Sequence, residues 1–122
     1  MNNKSIIISF FLPLFIVLFG CTSIASLPQE PSHPSDATLK SLSAYEAKLA
    51  SYALYLQTFL VRTKEKFGDA NFPKFTLFDS TLLQATHTIN AVTKNIEHLK
   101  YYINITKPIA IIVYKKYSKL KK

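Results

Sequence analysis

From Leu42 onward the apolar positions Leu42, Tyr45, Leu49, Tyr52, Leu56, Phe59 and Thr63 step three and four residues by turns. That spacing lays one stripe along an α-helix, and Leu39, Ala53 and Leu60 widen it. Ser35 and Asp36 are good N-caps with Pro34 just outside, and Lys64 and Lys66 suit a last helical turn. Phe67-Gly68 reads as a helix end with glycine in the left-handed C′ position. The pattern predicts a helix over 36–67, ~48 Å long. Leu82, Ala85, Ile89, Val92, Ile96, Leu99, Ile103 and Thr106 repeat the alternation. Asp79 is the expected N-cap of a second helix over 79–106, and Phe78 with Leu83 has hydrophobic-staple spacing. Thr86, Thr88, Asn90, Thr93 and Asn95 are weak helix formers, so packing must supply what propensity does not. Two heptad helices joined by about eleven residues predict an all-α fold, an antiparallel helical hairpin with heptad packing. Such a hairpin could pair with a second copy as a homodimeric four-helix bundle.

Pro108 interrupts the next segment, although the heptad phase continues through it at Ala110, Val113, Tyr117 and Leu120. Either the second helix runs on with a kink, or it stops near Thr106 and a third short helix over 108–120 carries Pro108 in its first turn. A break is expected, because an unbroken helix to residue 120 would overhang the first by ~15 Å. On a helical wheel Ile109, Ala110, Val113, Tyr114, Tyr117 and Leu120 share one arc, with Lys115, Lys116, Lys119 and Lys122 opposite and Ile112 among them. This basic amphipathic segment suits an anionic membrane surface, at ~1 kcal/mol per lysine. The plainer alternative is that the apolar arc completes a helical core and the lysines are a solvated face.

Two irregular stretches separate these elements. Pro28, Pro31 and Pro34 recur every third residue in 22–35, the period of a polyproline II helix, which predicts an extended or disordered spacer of up to ~43 Å. Gly68 to Phe78 contains Pro73 and three rings, Phe72, Phe75 and Phe78. The expected role of the rings is to plug the open end of the hairpin; the alternative is an exposed tip that docks a partner.

The amino-terminal segment differs in kind. Lys4 precedes an apolar run from Ile6 to Phe19, broken only by Ser9 and Pro13, and Leu18-Phe19-Gly20-Cys21 closes it. The run is short for a bilayer span and suits a signal-peptide core. A lone cysteine directly after glycine at the end of an export signal resembles the lipobox of bacterial lipoproteins. The resemblance implies cleavage before Cys21, lipidation at Cys21 and a membrane-anchored mature chain; Phe19 departs from it, since a small residue is commoner there. It divides the chain into a signal peptide (1–20), a lipid-anchored proline-rich linker (21–35) and a helical domain (36–122). Thr22, in place of an Asp after the cysteine, resembles the outer-membrane sorting pattern. Cleavage after Ser23-Ile24-Ala25, which would yield a secreted protein, and an uncleaved anchor are the alternatives.

Composition narrows the function classes. The formal net charge is +8, but basic and acidic residues cancel from Cys21 to Glu97, while from His98 onward there are lysines and no acid. Lys107, Lys115, Lys116, Lys119, Lys121 and Lys122 are therefore the candidate anionic-surface residues. The export signal argues against nucleic acid; lipid headgroups, cell-wall polymers and acidic proteins are the polyanions left outside the cytoplasm. One cysteine excludes a disulfide scaffold. His87 and His98 are eleven residues apart and His33 lies in the linker, no paired-carboxylate or metal-ligand spacing occurs, and Gly68 stands alone, so no catalytic residue, metal or cofactor is expected. The sequence thus predicts a small cell-envelope lipoprotein that acts as an adaptor toward a protein partner, or one that acts on membranes through its basic end.

Overall fold

Thr38 opens the first helix, its hydroxyl accepting from the Ser41 amide at 3.1 Å, and α1 runs from Leu39 to Phe67. Thr88 repeats the device: it accepts from the Ala91 amide at 3.1 Å, and α2 runs from Ile89 to Tyr117. The computed structural model describes residues 27–120, and there the fold is all-α, two long helices packed against each other without strands. Short 3₁₀ turns lie at Ser80–Leu82 and Ser118–Leu120.

Leu42, Tyr45, Leu49, Tyr52 and Leu56 are buried as the stripe predicts, but the next buried position is Leu60 rather than Phe59. A straight helix turns every 3.6 residues, so a seven-residue repeat drifts ~20° per heptad and the core position moves on by one. On α2 the buried stripe is Val92, Ile96, Leu99, Ile103, Thr106, Ala110, Val113 and Tyr117, unbroken heptad phase across Pro108. The expected break and third helix do not occur. Pro108 and Asn104 are both exposed, so the Asn104 carbonyl, which loses its helical donor at Pro108, faces water. Ala110 and Val113 are wholly buried, and their packing holds the helix together past the proline.

The direction of the pair also departs from expectation. Asn95 donates to Glu46 at 2.8 Å, the Phe59 and Tyr114 rings lie 6.4 Å apart, and Phe67 stacks on Tyr117 at 5.8 Å. Partners on the two helices stay about fifty residues apart in sequence along the whole length, so α1 and α2 run parallel, not antiparallel. The cause is the late start of α2. Asp79 caps only the 3₁₀ turn, accepting from the Thr81 amide at 3.0 Å, and Leu82 and Ala85, though in phase, lie exposed outside any α-helix. The connection is therefore Gly68–Thr88, long enough when extended (up to ~70 Å) to run back along a helix of ~43 Å.

That return is built into the core. Phe72 is buried against Tyr117 and Phe75, and Phe78 meets Tyr102 edge-on at 5.4 Å. The backbone of the connection finds side-chain partners on both helices: Gln57 accepts from the Phe78 amide at 2.7 Å, and the Tyr102 hydroxyl donates to the Thr76 carbonyl at 2.7 Å. Asn95 accepts from the Gln84 amide at 2.8 Å and donates to its carbonyl at 2.9 Å. These bonds satisfy polar groups that would otherwise be stranded against apolar surface.

Residues 27–38 cross the opposite groove. Leu27 packs on the core, Tyr52 donates to the Pro28 carbonyl at 3.2 Å, Lys107 pairs with Glu30 at 3.3 Å, and the His33 ring lies 4.9 Å from Tyr45. This part of the expected spacer is a strap bound along the helices, running from the level of Tyr114 back to the start of α1. Strap, α1, connection and α2 thus alternate in direction, and each groove of the helix pair is filled by the protein's own chain.

Candidate interaction surfaces

With both grooves occupied, the surfaces left for function are the ends and the outward faces of the helices. Among the described residues, no three His, Cys, Asp or Glu side chains converge as metal ligands, and no helix is long and apolar enough to cross a membrane. Buried Tyr52 and Tyr102 have hydroxyl pKa values raised above 10.0, chiefly by desolvation, with the Glu30 charge adding to the effect at Tyr52 and a Thr106 hydrogen bond offsetting it at Tyr102. Both stay protonated at neutral pH and donate to the carbonyls of strap and connection. Their placement is structural.

The two helices end together, because they are parallel. Lys64 and Lys66 lie in the last turn of α1, Lys115 and Lys116 in the last turn of α2. Two negative dipole ends side by side attract these cations, which accounts for part of the basic clustering without any ligand. Lys119 lies just beyond, Arg62 lies one turn back, and Glu65 and Asp69 are the acids near this end; all are exposed. Lys116 rests 5.1 Å over the Tyr117 ring.

The candidate residues separate into groups the sequence did not distinguish. Lys115, Lys116 and Lys119 are exposed, whereas Lys107 is turned into the strap groove against Glu30 and is not part of the basic end. Lys121, Lys122 and Cys21, with the whole 1–20 signal segment, lie outside the described residues. Phe72, Phe75 and Phe78 line the inner side of the connection, so the exposed-tip alternative does not describe them; Leu77 and Leu82 are its exposed large apolar residues. Ala110, Val113 and Tyr117 belong to the helix-pair core, so this part of the apolar arc is not free for lipid.

Sequence reasoning passes over an outward stripe on α2. Tyr101, Ile105 and Ile112 are 68%, 43% and 56% exposed, and their spacing of four and seven puts them on one face, with Pro108 between. Ile112 stands out among the lysines on the wheel; Tyr101 and Ile105 become readable only when that wheel is extended upstream across Pro108.

The sequence profile described as the Borrelia orf-D family matches residues 26–119, the strap included. The chain is also 53% identical over 109 residues to "Outer membrane lipoprotein BBA14" of Borreliella burgdorferi, which covers 89% of this chain and 90% of that protein.

Proposed function

The chain belongs to the Borrelia orf-D family, and from that premise we propose that it is an adaptor: a non-catalytic outer-membrane lipoprotein that presents a preformed helical body to a protein partner. It is a cell-envelope lipoprotein, as its relative's name states for that protein; Cys21 is the residue that would carry the lipid. The observation that supports an adaptor is the occupation of both interhelical grooves by strap and connection, which leaves outward surfaces rather than a cleft for recognition. Exposed apolar side chains such as Leu54 and Leu77 are the first places to look for the partner. Two measurements test the reading. Cys21→Ser should abolish lipidation and leave the chain uncut, held only by its apolar 6–19 run, and a variant that is still cut and reaches the outer membrane as the parent does would overturn the anchor. A photo-crosslinking residue at position 54 or 77, in intact cells, should trap one discrete adduct that the buried position 49 does not give; no adduct at any exposed position would overturn the adaptor role. Action on membranes is the second reading, favoured by the exposed lysines at one end.

A further inference from the structure

The strap reverses the expected polarity of the molecule. A spacer leading away from the domain would put anchor and basic end far apart, with the lysines free to reach a second membrane. Instead Leu27, where the described chain enters, shares a surface depression with Ile111, Tyr114 and Lys115 of α2. Six covalent steps separate Cys21 from Leu27, at most ~20 Å of chain. An acyl group on Cys21 is therefore confined to the neighbourhood of the basic end.

We propose that the outward face of the second half of α2 lies on the headgroups of the same leaflet that holds the acyl chains, as a second membrane contact; this rests on lipidation of Cys21. Tyr101, Ile105 and Ile112 form the apolar line of this face, and Lys115, Lys116 and Lys119 continue it toward the anchor. α2 carries no acid after Glu97, so the face complements anionic lipid and repels a second copy of itself. Glu30, the one acid brought beside this half of α2 by the strap, faces Lys107 in the groove and not the outward face. The acyl chains of a lipidated Cys21 would suffice to hold the protein to a bilayer, and the basic, shallowly apolar surface adds a second contact that fixes how the domain lies on it. The arrangement lays the helix pair down beside its anchor and leaves the outward face of α1, with Leu54, turned away from the lipid.

The test has two arms. The chain from residue 21 onward with Cys21→Ser, which lacks both the apolar 6–19 run and the acyl anchor, is mixed with vesicles of phosphatidylcholine alone or with 30% phosphatidylglycerol. Binding should require the anionic lipid, weaken at least about tenfold between 50 and 300 mM salt, and weaken about tenfold or more in Lys115→Ala/Lys116→Ala/Lys119→Ala. Lys40→Ala/Lys48→Ala, on α1, should lose far less than Lys115→Ala/Lys116→Ala. Equal affinity for both vesicles, or equal losses in these two double variants, would overturn the proposal. In the second arm the acylated protein, its Cys21 thiol consumed, carries a fluorophore on Ile112→Cys or Leu54→Cys in vesicles containing headgroup-quencher lipid. Strong quenching at position 112 and weak quenching at 54 is the expected result. Equal quenching, or clustering of vesicles by the acylated protein, would place the basic end elsewhere and overturn it. The first arm needs no lipidation, so failure of the anchor reading, seen with Cys21→Ser in cells, is distinguishable from failure of the face.

Discussion

Asn95 shows how one polar side chain decides an arrangement. It is 2% exposed at the edge of the α2 stripe, and it grips both the amide and the carbonyl of Gln84 while donating to Glu46 on α1. In the sequence it reads only as a weak helix former, because its partners come from a loop and from another helix. Asn95→Ala should cost about 2–3 kcal/mol in urea unfolding, since it strands three groups at once, and should speed exchange of the Gln84 amide well before global unfolding. Unchanged Gln84 protection would show that the connection is held by its rings alone. Gly68 carries a related lesson. Glycine ends α1 as expected, but at φ −66° rather than in the left-handed region. It is required by close approach: a Cβ there would overlap the Lys64 carbonyl oxygen, to which the Gly68 amide donates at 2.8 Å.

For the helices, periodicity was a good guide to which faces are buried and a poor one to where α2 starts. Tyr45, Leu49, Tyr52 and Leu56 and the α2 positions from Val92 to Tyr117 were legible because one stripe facing one partner repeats its own spacing. Leu82 and Ala85 kept the phase by coincidence; the connection that carries them is held along the helices by Gln57, Tyr102 and Asn95, long-range bonds that no local pattern reveals. At Pro108 the phase carried the better information and the proline rule the worse, since burial on both sides outweighs one lost hydrogen bond on the wet face. Pro108→Ala should therefore restore that bond and raise stability by about 1–3 kcal/mol, read as a higher Tm with helicity unchanged or slightly increased. A lower Tm would mean that the proline-induced geometry is itself needed for packing against α1.

Over the whole molecule, the all-α class was legible and the direction of the pair was not, because heptad stripes pack equally well either way and only the length of the connection tells them apart. Spin labels on Lys66→Cys and Lys116→Cys, in a Cys21→Ser background, check the direction. The parallel pair puts both at one end, and a separation below about 25 Å is expected; an antiparallel hairpin would set them ~40 Å apart. The strap has a mechanical consequence. A tether fastened at the near end of a groove that continues to the far end is loaded lengthwise when the anchor is pulled along the helix axes. The Pro28, Glu30 and His33 contacts then bear the force together instead of failing one after another. Tension applied at the start of the strap would be passed to the base of α1, so that strap and helix pair move as one stiff body rather than as a bead on a string.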